Sequence, residues 1–430
     1  MPLQLDATSP DFEQEFTGLL TQKREQDTDV NDIVSEIVAD VKLRGDQALF
    51  ELTEKFDRFV LSAETVRISA EEIQAARHAC EAETLSALGL AATRIMDFHA
   101  RQKPEDLDYT DDAGLRLGYK WTAVQNAGLY VPGGTAAYPS SVLMNVIPAK
   151  VAGVERIVMV VPTPDGLMNP LVLAAADIAG VTEIYRVGGA QAVAALAYGT
   201  ESIKQVDKIV GPGNAFVAAA KRQVFGTVGI DMIAGPSEIL ILADGLNDPA
   251  WIAADILSQA EHDTAAQSIL ITDDAEFADR VIDAVECHLK TLPRAETARK
   301  SWQDFGAVII VQNLFEAIPL IDRIAPEHLE IATDNARKLG ELVHNAGAIF
   351  MGRYVPEALG DYLAGPNHVL PTARSARFSS GLGVLDFMKR TSMIEGDAAS
   401  MNAVGPQVVT LANAEGLAAH GLSVSIRMNK

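Results

Sequence analysis

The chain has 430 residues, of which 48% are hydrophobic and 22% are charged, a composition typical of a soluble globular protein. Its length indicates about two to three domains. The net charge of −23 argues against a nucleic-acid-binding surface, and no basic stripe offsets it.

The sequence lacks the signals of export, membrane insertion and disulfide formation. The first residues, MPLQLDATSPDFEQEF, are acidic and contain neither the basic nor the apolar part of a signal peptide. No uncharged apolar run reaches the roughly 18 residues that indicate a membrane span. Cys80 and Cys287 are too few for a disulfide framework or a cysteine zinc site. We therefore expect a cytoplasmic protein that contacts no membrane.

The first hundred residues are predicted to be mainly helical. Residues 1–24 form an N-terminal arm, and residues 30–41 carry Val and Ile at helical spacing with Gly45 just beyond. Residues 71–101 are predicted to continue as one long helical stretch.

From residue 154 onward, short β-rich runs alternate with helical segments. The strand candidates are ERIVMVV, EIYRV and KIVG in a first series, and EILILAD, SILITD, GAVIIV and GAIFMG in a second. The intervening helices are predicted near residues 170–179, 190–198, 214–224, 249–263, 275–290 and 334–345. Two consecutive series predict an α/β fold of two Rossmann-like modules with mostly parallel sheets. The composition changes again beyond about residue 380, which indicates a small C-terminal element.

The first module contains Gly-rich turns that suit a nucleotide. VGGAQAV (187–193) and VGPGNAF (210–216) each run from a strand through glycines into a helix, whose free N–H groups can bind phosphate. Gln191 and Asn214 could add amide contacts, and Tyr130 stands beside a Pro-Gly-Gly turn. The GxGxxG fingerprint is absent, so ordinary strand-to-helix turns remain the alternative.

The second module carries candidate metal ligands. Gln259 and His262 lie three residues apart near the end of a helix that Asp248 and Pro249 begin. Asp361 follows a glycine in a predicted loop, and the last candidate, His420, lies near the C-terminus. Two imidazoles, a carboxylate and an amide oxygen suit zinc. Taken singly, each is equally consistent with a surface polar residue.

Glu327 and His328 are candidates for proton transfer. A carboxylate and an imidazole in one site can move protons near neutral pH. Pro326 predicts that a helix begins here, and the alternative is a helix N-terminus that merely contains a favourable Glu. His368, in GPNHVLP, is left unassigned.

Longer strings resemble a known family. LYVPGGTAAYPSSVLMN, KIVGPGNAFVAAAKR, LSQAEHD, APEHLEI, LGDYLAGPNHVLPT and NAEGLAAHGLSVSIR are similar to those of the histidinol dehydrogenase family, in the same order over nearly the whole chain. The resemblance implies zinc-dependent oxidation of L-histidinol via L-histidinal to L-histidine with two NAD, the last steps of histidine biosynthesis. It also implies a homodimer in which the C-terminal element serves the partner's site.

The resemblance implies a role for each candidate residue. Zinc, one per subunit, would be held by Gln259, His262, Asp361 and His420. These four, with Ser237, His328 and Glu415, would contact the substrate, and Tyr130, Gln191 and Asn214 would contact NAD. His328 would take the alcohol proton, and Glu327 would activate water for attack on the aldehyde.

The resemblance also implies a division of the chain. Residues 25–129 with 237–381 would form an α/β domain carrying the metal and catalytic residues, and residues 130–236 an NAD-binding α/β domain. Residues 382–430 would be the C-terminal element. Phe216, Ala358 and Gly421 depart from the family pattern, but none removes a proposed ligand or base. A zinc hydrolase and a non-catalytic ligand-binding homologue remain as alternatives.

Overall fold

The fold is described from a computed structural model that covers residues 1–22, 30–132, 138–233 and 235–428. Most of the predicted Pro-Gly-Gly turn after Tyr130 lies outside the described residues, as does the predicted boundary between the N-terminal arm and the first helix. None of the described helices is long and apolar enough to cross a membrane.

Strands and helices alternate through most of the chain. The strands are β1 (Leu3–Asp6), β2 (Leu107–Thr110), β3 (Arg116–Ala123), β4 (Asn126–Tyr130), β5 (Arg156–Val160), β6 (Glu183–Tyr185), β7 (Lys208–Val210), β8 (Gly229–Ile230), β9 (Glu238–Ala243), β10 (Gln267–Thr272), β11 (Ala307–Ile310), β12 (His328–Ala332), β13 (Ala348–Met351) and β14 (Met388–Glu395). The helices are α1 (Phe12–Thr21), α2 (Asn31–Arg44), α3 (Asp46–Asp57), α4 (Ala70–His78), α5 (Ala82–Ala100), α6 (Pro139–Ala152), α7 (Pro170–Ala179), α8 (Gly189–Tyr198), α9 (Ala215–Val224), α10 (Pro249–Ala260), α11 (Ala275–His288), α12 (Ala295–Phe305), α13 (Ala317–Ile324), α14 (Ala336–Gly340), α15 (Glu357–Tyr362), α16 (Ala398–Ala414) and α17 (Ala418–Met428).

Two parallel sheets confirm the predicted fold class. The five-stranded sheet has the order β6-β5-β4-β7-β8, and the six-stranded sheet has the order β1-β11-β10-β9-β12-β13. Every neighbouring pair in both sheets is parallel. In each alternating series the first strand, β4 or β9, is central, and the chain moves to one side of it and then to the other; β1, from the start of the chain, adds the edge strand beside β11. This is the order of a doubly wound sheet, with a switch point between β4 and β7 and another between β9 and β12.

The central strands are buried on both faces. In β9, Ile239 and Ile241 pack into one apolar layer, whereas Leu240 and Leu242 pack into the layer on the opposite face. Successive strand residues point to opposite faces, so an uninterrupted apolar run is what a sheet covered by helices on both sides requires.

A third sheet was not predicted. It is antiparallel with the order β14-β3-β2, and β14 pairs with β3 along its full length, from Met388 opposite Ala123 to Glu395 opposite Arg116. β14 is largely exposed and β3 is only partly buried, so neither sequence shows the alternation of buried apolar and exposed polar residues by which strands are recognised. The C-terminal element is thereby attached to the rest of the chain through β14.

Three local predictions were wrong. The helical stretch at 71–101 is two helices, α4 and α5, separated by residues 79–81. Asp361, predicted in a loop, lies in the short helix α15. The helix predicted to begin at Pro326 is instead strand β12, which pairs with β9 on one side and with β13 on the other. Its five residues are all buried, and the two ladders outweigh the local helix-start signal of the proline.

The helices between residues 31 and 100 pack on the five-stranded module. Helix α2 lies against α8 and α9, α4 lies against α7, and α5 lies against α6. Their apolar residues join the two cores on either side of that sheet. These helices therefore cover both faces of the five-stranded sheet.

Candidate functional site

The amino ends of two central strands and the end of one helix meet at a single edge of the six-stranded sheet. Glu238 begins β9 and His328 begins β12, and these strands are parallel neighbours. Helix α10 connects β9 with β10, so its last turn, which carries Gln259, returns to the same edge. Three separate stretches of sequence thus bring polar side chains together in a region that is otherwise apolar.

The buried imidazole of His328 has one bonded and one free nitrogen. Its Nδ1 donates to the carbonyl oxygen of Glu238 at 3.0 Å; the Gln259 amide also lies 2.9 Å from Nδ1. In the tautomer with the proton on Nδ1, the hydrogen bond to the Glu238 carbonyl is made and Nε2 is the basic nitrogen of the neutral ring. Within the described part of the chain, Nε2 is buried without a hydrogen-bond partner. Burial lowers the pKa of His328, which keeps the ring neutral and able to accept a proton.

Glu327 lies on the other side of the same strand end. One of its carboxylate oxygens, Oε2, accepts the Glu238 backbone N–H at 2.9 Å and lies 3.7 Å from Nδ1 of His328. Burial raises the pKa of Glu327 well above its usual range, and the neighbouring carboxylates act in the same direction. The carboxylate form is therefore a stronger base than an exposed glutamate.

Gln259 lies between the strand ends and Glu357, the first residue of α15. Glu357 accepts the Ser258 hydroxyl at 2.9 Å and lies 3.4 Å from the Gln259 amide nitrogen. Burial raises the pKa of Glu357 to about 7. Oε1 of Gln259 is buried and has no hydrogen-bond partner among the described residues. An unpaired buried amide oxygen is costly, so its presence points to a ligand that the polypeptide does not supply.

The donor set fits a cation. His328, Glu357 and Asp361 each offer one ligand atom, and these atoms lie within 4.8 Å of one another. Nε2 of His328 is 3.7 Å from Glu357 and 3.9 Å from Asp361. Burial, reinforced by the Glu357 charge, raises the pKa of Asp361. Carboxylates packed together, beside an amide oxygen of Gln259 that has no hydrogen-bond partner in the described part of the chain, are the chemistry expected of a divalent metal site.

His262 and His368 border this cluster. His262 lies in the turn just beyond α10; although the residue is exposed, desolvation by the surrounding protein lowers its pKa, and the Asp361 carboxylate opposes that effect. His368 donates from Nδ1 to the Asp361 carbonyl at 3.0 Å, and its Nε2 accepts the hydroxyl of Ser141 at 3.2 Å. Ser141 belongs to α6 of the five-stranded module, so His368 connects the cluster to that module.

Of the remaining predicted substrate and metal residues, Ser237 is adjacent in sequence to the cluster, whereas no hydrogen bond or ion pair among the described residues joins Glu415 or His420 to it. Ser237 precedes β9 directly and is half-buried. Glu415 ends α16 and His420 lies in α17, and both are exposed on a helical hairpin in which the two helices pack against each other. Gly421, by contrast, is buried, and an added Cβ would meet Oδ1 of Asn413 at 3.3 Å, so this glycine allows α17 to approach α16 closely.

The predicted cofactor residues surround the switch point of the five-stranded sheet. Tyr130 ends β4, and its buried hydroxyl accepts the backbone N–H of Gly189 at 3.0 Å. Burial raises the pKa of Tyr130 to about 12. Gln191 is buried in the first turn of α8, whereas Asn214 is exposed and caps α9 by accepting the N–H of Phe216 and of the residue after it. All three lie at the carboxyl ends of the strands, where doubly wound sheets bind nucleotides.

The corresponding crevice of the six-stranded sheet is filled. Arg353 forms two hydrogen bonds to the carboxylate of Asp244, which follows β9, and one to the Ala332 carbonyl at the end of β12. The Asn247 amide donates to the same carbonyl at 2.7 Å. The five-stranded module therefore presents its predicted cofactor residues at the carboxyl ends of its strands, whereas the six-stranded module presents the His328 cluster at the amino ends.

Comparisons with known proteins identify the family. The family model for histidinol dehydrogenase matches residues 20–428. Curated histidinol dehydrogenases of Rhodospirillum rubrum and Bradyrhizobium diazoefficiens are 66% and 62% identical, covering 100% of this chain and 99% and 100% of their own. The crystal structure of histidinol dehydrogenase from Elizabethkingia anophelis has a TM-score of 0.95 at 35% identity, covering 99% of this chain and 98% of that one.

The chain belongs to the histidinol dehydrogenase family. Membership makes it an NAD-dependent oxidoreductase of histidine biosynthesis, which confirms the predicted enzyme class. The buried imidazole of His328 agrees with this class, because alcohol oxidation requires a group that accepts the alcohol proton. The turns at the carboxyl ends of the five-stranded sheet agree with it too, because they suit the nucleotide that accepts the hydride.

Two buried carboxylates of the site were not predicted. Glu357 precedes Asp361 by four residues in PEALGDY, a spacing that places both on one face of α15, but the predicted loop concealed it. Glu330 follows His328 by two residues on β12, and its carboxylate accepts the backbone N–H of Glu357. The erroneous helix at 326 hid this relation, because strand periodicity is needed to place His328 and Glu330 on one face.

Proposed function

We propose that the chain catalyses the zinc-dependent four-electron oxidation of L-histidinol through L-histidinal to L-histidine, with reduction of two NAD, in the cytoplasm. The observation that carries this proposal is the buried ring of His328, whose Nε2 has no hydrogen-bond partner among the described residues and whose Nδ1 lies 3.7 Å from a second base, the Oε2 of Glu327. Two neighbouring bases of different chemistry suit two successive proton-transfer tasks on one carbon.

His328 is the base of the first oxidation. Its neutral ring accepts the alcohol proton at Nε2 while the carbinol hydride passes to the nicotinamide, and the Glu238 carbonyl stabilises the proton already on Nδ1. Glu327 is the base of the second oxidation and removes a proton from the water that adds to the aldehyde. A base positioned in this way contributes about 10²–10⁴-fold to the rate.

Gln259, His262 and Asp361 are the proposed zinc ligands from one chain, and His420 completes the set. Zinc bound there would fix the imidazole and amine of the substrate and so hold the reacting carbon in place. Glu357, itself held by the Ser258 hydroxyl, orients the Gln259 amide. Ser237, Glu415 and His328 are the proposed direct contacts to the substrate.

Tyr130, Gln191 and Asn214 are the proposed NAD contacts. The turns that carry Gln191 and Asn214 begin helices α8 and α9, whose N-terminal N–H groups suit the pyrophosphate. The switch point between β4 and β7 supports this position of the cofactor.

We propose that the active enzyme is a homodimer in which Glu415 and His420 serve the partner's site. The α16–α17 hairpin supports this assignment, because it exposes a set of large apolar side chains that a free surface would leave in water. They are Val408, Leu411, Leu417, Leu422 and Ile426. The exposure of His420, a proposed zinc ligand, has the same explanation.

The reaction is tested by NADH absorbance at 340 nm with zinc-loaded protein, L-histidinol and NAD, with the product identified. Two NADH per histidine formed, lost on chelation and recovered with zinc, is the expected result. Folded, zinc-bound protein that produces no NADH would contradict the proposal.

The shared site is tested by mixing two inactive variants, His328→Ala and His420→Ala. A heterodimer of the two chains contains one site with both defects and one intact site, so random exchange restores roughly a quarter of wild-type activity. No recovery after verified subunit exchange would show that each chain supplies its own His420.

A further inference from the structure

A buried ion pair lies at the base of the turn formed by residues 211–214. Lys221 comes from α9 and Asp231 follows β8, and their side chains, which are in contact, are 3% and 1% exposed. A buried ion pair adds little net stability compared with a well-packed apolar pair of similar volume. The pair is therefore expected to have a role other than net stability.

Both charged groups bind the same residue of the turn. Asp231 accepts the backbone N–H of Gly211 through Oδ2 at 2.8 Å, and Nζ of Lys221 donates to the carbonyl of Gly211 at 3.0 Å. The donor and the acceptor of one residue are thus held from opposite sides by two charges that also bind each other. Hydrogen bonds to charged groups are stronger than neutral ones, so the conformation of Gly211 is closely constrained.

The constrained residue lies in close contact with the proposed cofactor residues. Gly211 has a φ of +113°, and a Cβ added to it would lie 2.1 Å from the carbonyl oxygen of Tyr130. The hydroxyl of Tyr130 in turn binds the N–H of Gly189 at the start of α8. At its other end the turn leads to Asn214, which is exposed. The base of the turn is therefore fixed and buried, while its far end is open to a ligand.

We propose that Lys221 and Asp231 are positioning residues for NAD, which fix the turn 211–214 against Tyr130 in the conformation that receives the cofactor. This inference rests on the proposed function and extends it. A turn that is preorganised loses less conformational entropy when the ligand binds. The pair touches neither the substrate nor the reacting atoms. Its effect falls on NAD affinity, while the rate at saturating NAD and the binding of zinc are preserved.

The test replaces the pair without leaving a single buried charge. Lys221→Met with Asp231→Leu removes both charges and keeps an apolar, filled interior, whereas either single change would leave one charge unpaired. Lys221→Met with Asp231→Asn keeps an amide oxygen that can still accept the N–H of Gly211. The matched control is Lys208→Met, on β7, which removes the ion pair of Lys208 with Asp386 without touching the turn.

The expected result is graded. The KM for NAD rises by about tenfold or more in Lys221→Met with Asp231→Leu (the Met/Leu variant). It rises by a smaller factor in Lys221→Met with Asp231→Asn, and kcat stays within about twofold of wild type in both. Zinc content is unchanged, and Lys208→Met keeps the wild-type KM. A folded Met/Leu variant with wild-type KM for NAD would refute the inference. Failure of both double variants to fold would refute it too, because the pair would then be needed for folding itself. Failure of the proposed function is a separate result, seen as wild-type protein that does not reduce NAD.

Discussion

Replacing Glu327 by Gln separates the two oxidations. The glutamine amide oxygen can still accept the Glu238 backbone N–H, which Oε2 of Glu327 binds at 2.9 Å, so the fold around β9 and β12 is preserved. The amide cannot accept the proton of the attacking water. We expect histidinal oxidation to fall by about 10²–10⁴-fold, which is about 3–5 kcal/mol in activation free energy. Histidinol oxidation to the aldehyde, which depends on His328, changes by less than about tenfold.

The measurement compares initial rates of NADH formation from L-histidinol and from L-histidinal at saturating NAD. A second comparison uses pH: burial raises the pKa of Glu327, so its basic form accumulates as pH rises and wild-type histidinal oxidation should accelerate over that range. The Gln variant should lack this acceleration. His328→Gln serves as the matched control and should lose the first oxidation instead. Equal losses of both reactions in Glu327→Gln would refute the division of roles.

Three further outcomes are expected. Gly211→Ala places an alanine in a left-handed backbone conformation and brings its Cβ against the carbonyl oxygen of Tyr130. NAD affinity measured by titration should fall by at least about tenfold. An unchanged affinity would show that the turn is not a cofactor site. Burial raises the pKa of Glu357 from 4.5 to about 7, so the folded protein holds that proton more tightly than the unfolded chain, and the metal-free protein should lose stability as pH rises from about 4.5 to about 7. Thermal melts check this, and Glu357→Gln should flatten the slope. Phe277→Ala empties a fully buried position and should cost about 3–5 kcal/mol in urea unfolding, whereas Phe378→Ala, at a position 79% exposed, should change stability by about 0.5 kcal/mol or less.

The sequence was most informative where local physics and tertiary packing agree. The run EILILA predicts a buried strand, and β9 is one because both of its faces are covered. Asp248 and Pro249 predict a helix start, and Asp248 caps α10 by accepting the N–H of Ala250. The Gly-rich turns before α8 and α9 were predictable for the same reason, since glycine, a strand before it and a helix after it all indicate one conformation.

Prediction failed where neighbours in space outweigh neighbours in sequence. Pro326 signals a helix start, but ladders to β9 and β13 make His328 the first residue of a strand. This error also concealed part of the site, because the hydrogen bond from the Glu357 backbone N–H to the Glu330 carboxylate depends on the geometry of β12 and on α15. The assembly of Gln259 with Asp361 depends on tertiary structure that no local pattern contains. Only the family resemblance brought those residues together in advance.

Arg353 has a consequence for the order of events in the proposed reaction. It occupies the switch point of the six-stranded sheet, so within the described ranges only the five-stranded sheet keeps a switch point bordered by an exposed turn. In the proposed four-electron reaction, the two hydrides would then leave the substrate through the same cofactor position, one after the other. The first NADH would have to dissociate and a second NAD arrive while the proposed aldehyde intermediate stays bound. The lifetime of that bound aldehyde would therefore have to exceed the time needed to exchange the nucleotide.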